Sequence, residues 1–159
     1  MISKDDLVGS WTLESWTIGY SDRDDFSYPF GEEPQGLLMY SADGWMSAAI
    51  ARPDRAPLPE GVSPRRMPQD LQAAAYASYF HYCGRYQLRE GDVVHYVTQS
   101  LNPNFPGSEQ LRHAELDGHT LVLSGKDQVG EVVRFHSLVW HRVPAPSDEG
   151  ELIDSGELG

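Results

Sequence analysis

Hydrophobic and polar positions alternate with a period of two over much of this chain, as in strands that bury one face. The clearest block holds two such runs, His81–Arg89 and Val93–Leu101, joined by Glu90-Gly91-Asp92. A short Gly-containing joint between alternating runs predicts a β-hairpin. Gly36–Ser41 and Gly44–Arg52 flank Ala42-Asp43-Gly44, and Leu111–Leu116 and Thr120–Ser124 flank Asp117-Gly118. Asp-Gly suits the positive φ that tight hairpin turns demand, so these are two further hairpins. Leu7–Tyr20 reads as the first strand and Val132–Val143 as the last. In the first, Trp11, Leu13, Ser15 and Thr17 share one face and Trp16 and Ile18 the other, so its alternation is imperfect.

The segments between them break the pattern. Ser21–Gln35, rich in Asp, Pro and Gly, reads as a loop, and so does Pro53–Pro68. Gln69–Phe80 is the one expected helix, with Leu71, Ala75 and Tyr79 at i, i+4, i+8 behind Pro68. Asn102–Glu109 and Gly125–Gly130 read as connections. About eight antiparallel strands and one helix predict an all-β domain. Eight such strands close into a barrel that holds one small ligand, and a two-sheet sandwich is the other arrangement.

Composition narrows this reading. The chain has 159 residues, enough for one domain with a sizeable core, and 17 aromatics. Residues 1–143 are expected to form that domain, and the acidic, Gly- and Ser-containing residues 144–159 a disordered tail. The formal charge is −12, of which five units fall at Asp148, Glu149, Glu151, Asp154 and Glu157. An acidic body argues against nucleic acid or an anionic membrane as partner. The single cysteine, Cys83, permits no intrachain disulfide and reads as a small core residue. With no apolar leader-like or membrane-length run, the expected location is cytoplasmic.

Candidate chemistry concentrates around the central hairpin. His95 shares a strand face with Val97 and Gln99. Facing inward, it is an acid/base candidate or a hydrogen-bonded structural histidine. Arg112 offers a planar fork for a carboxylate or enolate oxygen, or closes a rim salt bridge. Tyr40, Tyr82 and Tyr86 supply hydroxyl donors on aromatic bodies, and with Trp45, Trp140, Gln99 and His136 they are the expected cavity lining, or ordinary barrel core. The six histidines show no His-x-His pair on one face, so no metal is expected. Phosphate-cradling Gly loops, dinucleotide fingerprints and Gly-x-Ser-x-Gly are absent from the sequence, so no cofactor is expected.

Gly9-Ser10-Trp11 near the start and Trp140-His141-Arg142 near the end resemble the calycin signature. Pro29-Phe30-Gly31, Gly36-Leu37-Leu38-Met39-Tyr40, Asp43-Gly44-Trp45-Met46-Ser47, Tyr82-Cys83-Gly84-Arg85-Tyr86, Val94-His95, Asn102-Pro103, Gly107, Arg112 and Leu121-Val122-Leu123 follow in order. Together, over about residues 5–143, they resemble the small bacterial and fungal lipocalin-like domain family. The resemblance implies a barrel with a central cavity, plugged at one end by Trp11 with Arg142 across its ring, and pairing into a homodimer. Two functions fit. One is an intracellular module that binds a small apolar or aromatic molecule. The other is a cofactor-free cyclase or isomerase acting on a polyketide-like intermediate, with His95 as acid/base, Arg112 and Tyr86 as oxyanion support, and the helix and Pro53–Pro68 as a lid. A third, a partner-binding protein with a filled barrel, predicts an exposed apolar patch.

Overall fold

The computed structural model describes residues 1–144. A four-residue helix, α1 (Lys4–Leu7), precedes β1 (Gly9–Tyr20) and β2 (Arg23–Ser27). Then come β3 (Gln35–Tyr40), β4 (Trp45–Ala51), a 3-10 turn at Pro64–Arg66 and α2 (Gln69–Ala77). The rest is β5 (Tyr79–Arg89), β6 (Asp92–Ser100), β7 (Glu109–Asp117), β8 (Thr120–Val129) and β9 (Val132–Arg142). All pairings are antiparallel. The order runs β2-β1-β3 through β9, and β9 returns to pair with β1 from Trp11–Arg142 to Tyr20–Arg134. That last pairing selects the barrel over the sandwich. Eight strands make the wall, and β2 is appended to the far half of β1.

The sequence expectations differ from this fold at five places. β2 lies inside the expected loop Ser21–Gln35; its Asp-rich face is exposed, so no apolar alternation marks it. β8 continues through the expected turn Gly125–Gly130 to Val129, polar because that end of the strand meets solvent. The helix ends at Ala77, where Ser78 N–H bonds to Ala74 O and the Arg55 guanidinium reaches Ala75 O at 3.2 Å. Tyr79 and Phe80 already belong to β5. α1 takes Leu7 from the expected first strand and has no counterpart in the sequence reading, although Ser3 and Asp6 form a capping box, a recognisable start signal. Finally, Cys83 is half-buried outside the core cluster.

Two irregularities set which side chains face inward. The β1–β9 register shifts between Leu13 and Ser15. The inner face of β1 therefore passes from Trp11 and Leu13 to Trp16 and Ile18, which explains the imperfect alternation. The β5–β6 register shifts between Cys83 and Gly84, so Gly84 pairs with Val97 while Cys83 pairs with Gln99. Only glycine permits this, since a Cβ at position 84 would lie 1.9 Å from Tyr96 O.

One end of the barrel is sealed. Leu7 and Trp11 are fully buried, and Trp11 Nε1 donates to Leu7 O at 2.9 Å. The Arg142 guanidinium lies 4.1 Å from the Trp11 ring centroid and donates to Val8 O and Asp6 O. A Cβ at Gly9, whose φ is +132°, would sit 3.0 Å from Arg142 Nη1, so glycine is needed beside the guanidinium. Residues 144–159 were expected to be a separate tail; 145–159 lie outside the described residues. Among the described residues no helix is long and apolar enough to cross a membrane.

Candidate functional site

Above the sealed floor the barrel encloses a cavity of about 360 Å³. Its walls are mostly apolar: Leu38, Ala48, Ile50, Phe80, Phe105, Leu123, Leu138 and the rings of Trp16 and Trp140. The polar lining comprises Tyr82, His95, Asn102, Gln110, Arg112, Lys126, Asp127, Arg134 and His136. Apolar walls with a few convergent polar groups are the usual make-up of a small-molecule site.

His95 is 1% exposed and sits between two tyrosines. Its Nε2 is 2.7 Å from Tyr40 Oη and its Nδ1 is 2.7 Å from Tyr82 Oη. Burial, helped by the Arg112 charge, pushes its pKa down to about 3, so the ring is neutral. Burial likewise raises both tyrosine pKa values; for Tyr82 the nearby Arg112 charge opposes the rise. The result is a neutral Tyr40–His95–Tyr82 chain. Tyr82 lines the cavity, whereas Tyr40 lies behind His95.

Arg112 enters from β7, directly across from Val93 of β6. Its Nη1 donates to Leu111 O at 2.9 Å and its Nη2 to Gln110 Oε1 at 3.4 Å. Gly125 makes the space: a Cβ there would meet Arg112 Nη1 at 2.7 Å. The β7–β8 ladder stops at His113–Ser124, and the guanidinium lies just beyond that point.

On β9, His136 Nδ1 accepts from Trp16 Nε1 at 3.2 Å. Its Nε2 lies 3.2 Å from Asp127 Oδ2 but without the alignment of a hydrogen bond. Burial lowers the His136 pKa, and the Asp127 carboxylate acts in the opposite direction. Asp127 is gripped by Arg134, through Nε at 2.7 Å and Nη2 at 2.5 Å. This holds the carboxyl below its usual range. Deeper on the same strand, Trp140 is 2% exposed and its Nε1 N–H has no acceptor among the described residues.

Of the residues expected to form the site, His95, Arg112, Tyr82, His136 and Trp140 therefore line one cavity, and Tyr40 supports it. Three do not. Tyr86 is on the inner face but near the sealed end; its hydroxyl donates to Ser41 O at 2.7 Å and its ring stacks edge-on against Tyr40. Four residues along a strand is about 13 Å of depth, which alternation does not reveal. Gln99 is exposed, because the bulge at Thr98 turns it out of the face of His95 and Val97. Trp45 is 47% exposed on the outer wall beside Arg85, its cross-strand partner. The expected lid also differs. No residue of Pro53–Pro68 or α2 lines the cavity; Phe80, Asn102 and Phe105 do, with Phe105 edge-on to Phe80 at 5.5 Å. A Phe within a Pro- and Gly-rich connection was the available signal. Lys126 and Asp127 lie on the part of β8 that reads as a turn in the sequence, and Arg134 lies on the expected last strand with no pattern that singles it out. Among the described residues no group of three or more His, Cys, Asp or Glu side chains could hold a metal ion.

No curated protein matches the chain. Among solved structures, a crystal structure of a variant of the fluorescent protein UnaG is similar over 88% of this chain and 98% of that one. Its sequence identity is 15% and its TM-score 0.38. The model of one family, described as a lipocalin-like domain, matches residues 8–143, nearly the whole described barrel. The sealed floor under Trp11 and Arg142 and the nine-stranded sheet agree with that match, and the chain belongs to the lipocalin-like domain family.

Proposed function

We propose that this protein binds a small, largely apolar or aromatic molecule inside the barrel. The observation that carries the reading is the cavity of about 360 Å³, walled by aromatic and aliphatic side chains around a convergent polar cluster. The partner-binding alternative predicted a filled barrel, which this cavity does not favour. The cyclase or isomerase alternative has His95, Arg112 and a tyrosine on one cavity, with Tyr82 in place of Tyr86. It also needs an acid/base poised near neutral pH, and His95 is pushed down to about 3. That mismatch favours holding a ligand over turning it over.

The rest of the reading follows from composition and surface. A lone thiol and an acidic surface suit a cytoplasmic protein. Exposed Leu37, Met39 and Trp45 on the outer wall suit a homodimer. Native mass spectrometry of freshly purified protein, with titration by the neutral fluorophore N-phenyl-1-naphthylamine, tests the central claim. We expect a co-purifying small molecule or saturable one-to-one binding. An empty protein that gives no saturable signal would overturn it.

A further inference from the structure

The cavity holds more hydrogen-bond donors than its own walls use. Neutral His95 has one N–H and one lone pair for its two tyrosine partners. Tyr40 is 2% exposed, and its hydroxyl has no partner but His95 among the described residues. If Nε2 carried the proton, the Tyr40 hydrogen would be buried without an acceptor, a costly state. The satisfied arrangement has Tyr40 O–H donating to Nε2 and Nδ1–H donating to Tyr82 Oη. The Tyr82 hydrogen is then surplus, and Tyr82, unlike Tyr40, lines the cavity.

Arg112 stands beside it. Its fork has N–H groups beyond those spent on Leu111 O and Gln110 Oε1, and among the described residues no carboxylate pairs with it. Independently, the buried Trp140 N–H on the same cavity lacks an acceptor. The charge agrees: among the described residues Arg112, Lys126 and Arg134 line this cavity against Asp127 alone, in a chain of formal charge −12. Asp127 is already taken by Arg134.

We propose that the ligand is a small amphipathic organic acid, bound as its carboxylate with its oxygens on the Arg112 fork and the Tyr82 hydroxyl and its apolar body against the aromatic walls. Charge-assisted donors inside a largely apolar cavity reward a carboxylate over an uncharged group of the same shape. The Trp140 N–H is left for a second acceptor deeper in the cavity. This inference rests on the binding reading above and adds the chemical class of the ligand.

Isothermal titration at pH 7 with three matched probes tests it: 4-phenylbenzoate, 4-phenylbenzamide and 4-phenylbenzylamine. We expect the carboxylate to bind about 10–100-fold tighter than the amide, and the ammonium weakest. Arg112→Gln should abolish that preference, weakening the carboxylate far more than the amide. Nitrogen-15 NMR of the imidazole should show the proton of His95 on Nδ1. Equal affinity for acid and amide, or a preference that survives Arg112→Gln, would overturn the proposal and leave the binding reading intact. If none of the three probes nor N-phenyl-1-naphthylamine binds and the protein purifies empty, both fall.

Discussion

In the unfolded chain His95 titrates near 6.5; in the barrel burial takes it to about 3. Between those values the unfolded state binds a proton that the folded state does not. Stability therefore rises with pH through this window, is complete above about 6.5 and is lost as pH falls toward 3. The slope approaches about 1.4 kcal/mol per pH unit, and half-buried His136 adds in the same direction. We expect the melting temperature to fall by about 5–10 °C from pH 7 to 4.5, and His95→Gln to flatten the curve. Calorimetry that finds the wild type flat over that range would contradict a buried neutral imidazole. Strand parity marked His95, Arg112 and Tyr82 as candidates, and they do meet. Parity carries no depth, which is why Tyr86 was grouped with Tyr82. It also fails across a bulge, which is why Gln99 was grouped with His95.

The elements were legible where turn chemistry was local. Asp43-Gly44, Gly91 and Asp117-Gly118 mark hairpins, and all three glycines have positive φ. What stayed hidden depends on contacts from elsewhere. β2 gains its ladder only from β1, and Tyr79 leaves its helical row because β5 pairs with β4 from Ala51–Tyr79 onward. The bulge at Gly84 is the sharpest such dependence. We expect Gly84→Ala to cost more than about 3 kcal/mol in urea unfolding, or to prevent folding, because backbone must move to admit the methyl. Gly19→Ala is the matched comparison: nothing lies within 4 Å of a Cβ there, and its cost should stay within about 1 kcal/mol. Equal costs would show that the close approach of β6 to Gly84 is not limiting.

For the whole molecule, strand count alone left barrel and sandwich open; the resemblance at Gly9, Trp11 and Arg142 was what spoke for closure. Arg142 joins the ends of the sheet by stacking on Trp11 and donating to two carbonyls of the opening segment. We expect Arg142→Ala to lower stability by about 2–4 kcal/mol and Arg142→Lys to recover only part, since an ammonium lacks the flat fork. Unchanged urea midpoints for both variants would remove the latch from the account.

That latch also sets a timetable. Arg142 and Val8 are 134 positions apart, so the ribosome has made nearly the whole barrel before its first strand can meet its last. Hairpins from β3 to β8 can form as they emerge, but β1 waits with one long edge unpaired. Cylinder formation is thus a late event in biosynthesis. A nascent chain stalled before β9 carries two open edges, β1 and β8, and is the species from which misassembly would start.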